Sequence, residues 1–138
     1  SPDRSNDRRL TQLLVDSLLK KAEASASWHD PEPLRKSLVE VDAAIPKLAG
    51  ERLQNWDRLG DLALRYGEFE SAATYFLEAG KEAASAKQPK DEFLAMAALS
   101  LLEAEKRIPA SRLAGGALDL NPKNLTARYV LRRLDEAR

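Results

Sequence analysis

The amino-acid sequence predicts an all-α protein of about seven helices. Apolar residues recur at three- and four-residue steps along most of the chain, the period of a helix with one buried face. Prolines and glycines mark breaks between those stretches. No segment sustains the two-residue alternation of a half-buried strand, so no sheet is expected.

Residues 1–7 are polar and read as a flexible N-terminal segment. Arg8 to about Ala26 forms the first predicted helix. Leu10, Leu14 and Leu18 make one stripe on it, and Val15, Leu19, Ala22 and Ala26 a second beside it. Two adjacent stripes give an apolar face wider than one neighbour covers, so this helix is expected to pack on two sides. Ser27 to Pro33 breaks it. Asp30 is placed to cap the second helix, with the prolines tolerated in its first turn. Leu34, Leu38, Val41, Ile45 and Leu48 then repeat in a single stripe. Pro46 removes a helical hydrogen bond, so the second helix should stop before it and the third run from about Pro46 to Tyr66. Gly67 suits the left-handed residue that closes a helix. The fourth helix is expected from Phe69 to about Ala86, and the fifth from Asp91 to Lys106, its acidic start favoured by the helix dipole. Pro109 opens the sixth, which ends near Leu120. After the Asn121-Pro122 break the seventh covers Leu125 to Ala137.

Composition narrows the function. The 138 residues can bury a real core. With 22 Lys and Arg against 22 Asp and Glu, the formal charge is zero, which argues against nucleic acid and gives no pull toward an anionic membrane. The absence of cysteine rules out disulfides, thiolate catalysis and Cys-ligated metals. No run of about 18 apolar residues is present, so no direct membrane insertion is expected. A chain beginning at Ser1 reads as a piece or a processed product, so any targeting signal is lost and the compartment is left open. Abundant Ala, Leu and Arg leans bacterial.

The most informative stretch is Trp56 to Ala79. Trp56, Leu59 and Gly60 open one helix, Gly67 and Phe69 punctuate its end, and Ala72, Phe76 and Ala79 carry a second helix back across it. A weaker copy follows at a 38-residue offset: Ala98 answers Gly60, Ala110 answers Ala72 and Ala117 answers Ala79, with Pro122 at the exit. This pattern resembles the tetratricopeptide repeat family, whose fixed positions are set by packing. Gly60 and Ala72 match its small residues, and Trp56, Leu59 and Phe76 its large ones. The match departs at Ala63, where the family usually has tyrosine, and after Ala79, where no proline appears until Pro89.

The resemblance implies antiparallel helix–turn–helix repeats stacked as a short right-handed α-solenoid. On that reading 8–138 is a single domain. Residues 8–48 are a degenerate leading pair, 49–86 the best-matching repeat, 87–122 a second repeat and 123–138 a C-terminal capping helix. It also implies a concave groove lined by the first helix of each unit. Carried over by position, the groove shows Asp57, Asp61 and Leu64, then Ala95, Leu99 and Leu102, then Tyr129, Arg133 and Glu136. An acidic entrance, an apolar middle and a cationic end would suit a peptide with a basic end and small apolar anchors. Leu99 and Leu102 read equally as ordinary core, and Asp57 and Asp61, four apart on one helix face, read as a solvated face rather than a cation site. Family members that grip a chaperone's C-terminal carboxylate place Lys and Asn along the leading helix. Here the matching positions are acidic, so that use is rejected.

No catalytic, cofactor-binding or metal-binding constellation stands out. His29 is the only histidine and has no oriented nucleophile beside it. Trp28 reads as a lid on the first two helices. Gly115-Gly116 costs about 1 kcal/mol per glycine inside a helix. It marks either a close approach of another helix or of a partner, or a bend at a helix end. The expected role is a non-enzymatic protein–protein interaction module, an adaptor or scaffold that binds another protein or peptide. The alternatives are an oligomerisation domain, with the wide face of the first helix pairing with another copy, or a regulatory segment of a larger protein.

Overall fold

The computed structural model describes residues 2–137, and the side chains of residues 6–137. Within them it is all-helical: α1 (Pro2–Ser25), α2 (Glu32–Ala44), α3 (Arg52–Arg65), α4 (Phe69–Ser85), α5 (Asp91–Glu103), α6 (Arg107–Leu120) and α7 (Leu125–Glu136). No strand occurs among the described residues.

Three boundaries differ from the sequence expectation by three residues or more. α1 begins at Pro2, where a flexible segment to residue 7 was expected, because proline is well suited to a first helical turn and the polar residues after it do not oppose helix. α3 begins at Arg52 rather than Pro46. Pro46 sits in a 3-10 turn, Ile45–Lys47, after which Leu48 is extended and Glu51 takes a left-handed φ of 59°. α5 ends at Glu103 rather than Lys106.

The ends of α3, α4 and α5 are closed the same way. At α3, Glu68 N donates to Ala63 O at 2.8 Å and Gly67 N to Leu64 O at 3.2 Å, with Gly67 at φ 83°. At α4, Gln88 N reaches Ala83 O at 2.8 Å, with Lys87 at φ 56°. At α5, Lys106 N reaches Leu101 O at 2.9 Å, with Glu105 at φ 60°. Each is the paired closure that satisfies orphan carbonyls through one left-handed residue.

Helices pack on their chain neighbours: α1 on α2, α3 on α4, α4 on α5, α5 on α6 and α6 on α7. α5 also lies against α7, whereas the α3 and α5 backbones scarcely approach. Two cores result. The first joins Val15, Leu19 and Ala22 of α1 with Leu34, Leu38 and Val41 of α2, and with Trp56, Leu59, Tyr75 and Phe76 of the α3–α4 pair. Burying each such large apolar side chain contributes about 1.5–3 kcal/mol. The second core is mostly alanine: Ala95, Ala98, Ala110, Ala114, Ala117 and Ala127, with Val130 and Leu134. α5 stands between them. Ala97 belongs to the first core, and Ala95 and Ala98 to the second.

The α3–α4 contact shows why Gly60 is glycine. Phe76 is fully buried, and a Cβ on Gly60 would sit 2.8 Å from its ring. Trp56 is 4% exposed and stacks on Tyr75, with ring centroids 6.0 Å apart. Leu59, Ala72 and Ala79 are fully buried and Phe69 half-buried. In the second unit Ala98, Ala110 and Ala117 are fully buried too, and Pro122 is exposed in the α6–α7 turn.

Other expectations need correction. α1 buries one face only: Leu10 and Leu14 are 62% and 55% exposed. Trp28 is no lid on the first two helices. It leans on Tyr66 at the end of α3, with ring centroids 5.6 Å apart, and stays 71% exposed. Gly115 and Gly116 lie inside α6, which continues to Leu120, so they mark no helix end. Among the described residues a Cβ on either would meet nothing within 4 Å, so no helix contact there needs them as glycine.

Candidate functional site

The residues carried over to a groove fall into two groups. Asp57 and Asp61 share one face of α3, the first half-buried and the second exposed. Burial pushes the Asp57 carboxyl above the ordinary carboxylate range, with added repulsion from Asp61 and from Glu92 of α5. The Asp61 carboxyl, though exposed, is also raised by partial loss of surrounding solvent, against the pull of Arg65. Crowded carboxylates short of counter-charge form a surface that a cation relieves. Leu64, one turn further on, is half-buried against the first core.

The second group lies on α5 and α7. Leu99, Leu102 and Tyr129 are half-buried against the second core, each with part of its surface left in water. Arg133 Nη1 donates to Tyr129 Oη at 3.0 Å, and its guanidinium lies 5.8 Å from the ring centroid. Arg132 sits over the same ring at 6.0 Å. Leu102 and Arg133 line one open cleft of about 510 Å³ with Glu103, Glu105, Arg107 and Ala137. Glu136 is exposed near the end of α7.

Ala95 does not belong to this surface. It is fully buried in the second core, because α5 turns that side toward α6 and α7, so no guest reaches its side chain. The two groups lie on helices whose backbones scarcely approach, but Glu92 of α5 is close enough to Asp57 of α3 to repel its carboxylate. α5 packs instead between α4 on one side and α6 on the other.

The link between α5 and α7 depends on residues that sequence spacing did not single out. Asn124 is 4% exposed and caps α7, its Oδ1 accepting from Ala127 N at 2.9 Å. Its Nδ2 donates to Asp91 Oδ2 at 2.8 Å and Glu92 Oε2 at 3.0 Å. Thr126 Oγ1 donates to Glu92 Oε1 at 2.9 Å. The legible signal was an asparagine directly before the first apolar residue of α7. A larger cleft of about 870 Å³, between the start of α6 and the end of α7, is lined by Ile108, Leu131 and Arg132 among others. Ile108 is 74% exposed there, a position with no repeat signature to mark it.

Among the described residues, no group of three or more His, Cys, Asp or Glu could hold a metal ion, and no helix is long and apolar enough to cross a membrane. No protein-family model, curated protein or solved structure matches the chain.

Proposed function

We propose that the chain is a tetratricopeptide-like right-handed α-solenoid that acts without catalysis, holding a peptide or helix of another protein. The reading is supported by the order of packing along α3 to α7 and by the Gly60–Phe76 contact, the small-on-large pairing that this family uses to close a repeat. It rests above all on the α5–α7 face. There Leu99, Leu102 and Tyr129 present apolar surface beside the Arg133 guanidinium, on helices held rigidly by Asn124. Rigid elements with half-exposed apolar anchors and a few fixed polar groups are what a peptide groove requires. The guest is an extended or helical peptide with small apolar anchors, its basic end directed to Asp57 and Asp61.

Peptide-library display against the purified chain tests this. Enriched peptides should carry apolar anchors and a basic end, and should lose binding to Leu99→Glu and Tyr129→Ala proteins of unchanged helical signal. Peptides that bind those variants as well as the parent would remove the groove.

A further inference from the structure

The outward face of α1 carries a pattern that the groove does not use. Leu10, Leu13 and Leu14 are 62%, 53% and 55% exposed, while Val15, Leu19 and Ala22 on the opposite side are fully buried. Asp7, Leu10, Leu14, Ser17 and Lys21 follow one another at steps of three and four residues, and all five are exposed. That is the seam spacing of two helices packed side by side.

The charges on this seam select both the occupant and its direction. Asp7 lies seven residues before Leu14 and Lys21 seven after it, each about 10 Å away along the axis. Were two α1 helices parallel, Asp7 would stand beside Asp7 and Lys21 beside Lys21. Antiparallel about a two-fold axis at Leu14, each Asp7 meets Lys21 of the other copy, Leu14 meets Leu14, and Leu10 covers the half-buried Leu18. One patch thus satisfies itself, as a two-fold interface demands. We propose that α1 pairs antiparallel with α1 of a second copy of this chain, centred on Leu14.

Lys21 holds Glu40 at 3.4 Å, with its own side chain 62% exposed, and a surface pair of that kind leaves it free to turn to a new partner. Arg9 and Lys20 flank the seam at its watery edge, where salt screens them. The seam is short, so the interface falls at or below the low end of stable ones, about 1,200 Å². The dimer is therefore weak and concentration-dependent. It is independent of the groove, whose residues lie on α3, α5 and α7.

Sedimentation velocity across a range from about 5 to 500 µM, where a weak dimer forms, reads the proposal directly. The sedimentation coefficient of the parent should climb with concentration toward that of a dimer. Leu14→Asp and Leu10→Lys, both at exposed sites, should stay monomeric with the parent's helical signal. Asp7→Lys alone and Lys21→Asp alone should each weaken association about five- to tenfold by setting like charges opposite. The two together should restore it. A parent that stays monomeric throughout, or a dimer indifferent to both leucine changes, would overturn the pairing. A double exchange that fails to restore association would overturn its antiparallel register.

Discussion

Phe76 and Ala114 stand at corresponding positions 38 residues apart, and so do Gly60 and Ala98. In the first core a phenyl ring fills the space that glycine leaves, against a Trp56–Tyr75 stack. In the second core both positions are alanine, both are fully buried, and the helices close on small side chains alone. One spacing therefore accommodates two packing solutions. Large-on-small buries more apolar surface per residue, and small-on-small relies more on polar ties. Those ties are present in the second unit. Asn124 bonds Asp91 and Glu92, and Arg107 Nη2 donates to Leu134 O at 2.9 Å. The first unit should therefore lose most when one side chain is truncated, and the second when space is filled.

Trp56→Ala is the strongest way to break the contrast. It should cost about 3–5 kcal/mol in urea unfolding, a large-to-small loss at a buried site. Its counterpart Leu94 is only half-buried, so Leu94→Ala should cost about 1–2 kcal/mol. Equal losses at the two sites would show that the cores do not differ in this respect. Gly60→Leu should unfold the α3–α4 pair, since even a Cβ there presses on Phe76. In the second core, Ala114→Phe should cost about 1–3 kcal/mol by forcing helices apart that alanine keeps close. A gain in melting temperature would mean the alanine core has room, and that its small residues are not there for close packing.

The helix ends sharpen the comparison further. Lys87 and Glu105 occupy the left-handed position that Gly67 occupies at the end of α3, and a side chain is disfavoured there by about 1–2 kcal/mol. Lys87→Gly and Glu105→Gly should each stabilise by about 1 kcal/mol in thermal unfolding, and Gly67→Ala should destabilise by a similar amount. If the glycine replacements destabilise, the exposed Lys87 and Glu105 side chains hold their turns in some other way.

These ends also show where the sequence was legible and where it was not. Gly67 announced the end of α3 because glycine is the residue such a closure favours. Glu105 makes the same closure without that signature, so α5 reads three residues too long. Pro46 correctly marked a break, but the short turn and the extended Leu48 after it depend on packing that no local pattern encodes. The buried anchors Trp56, Leu59 and Phe76 were readable from their resemblance to the large positions of the tetratricopeptide pattern. Groove positions were less so. Ala95 and Leu99 lie on one helix at the same nominal register, yet one is sealed in the second core and the other is half-open. The difference comes from how α5 is set between two cores, which is a tertiary property.

The smallest effect expected concerns the Asp91 tie between α5 and the α6–α7 turn. Hydrogen bonds from Asn124 and then Asn121, partly opposed by burial, hold the Asp91 carboxyl below its ordinary range. A carboxylate whose folded pKa is lowered binds fewer protons in the folded state, so its stabilisation is present above the unfolded value of about 3.9 and fades as pH falls through the folded one. Unfolding followed from pH 6 to pH 2 should show this loss below about pH 4, of order 0.5 kcal/mol because the site is partly open to water. Asn121→Ala removes the 3.1 Å bond to Asp91 but leaves the Asn124 cap of α7 in place. It should flatten that segment of the profile while shifting neutral-pH stability only slightly. A variant whose acid profile superimposes on the parent's would mean that Asn121 does not depress the Asp91 carboxyl, leaving Asn124 as the sole amide that ties the two helices there.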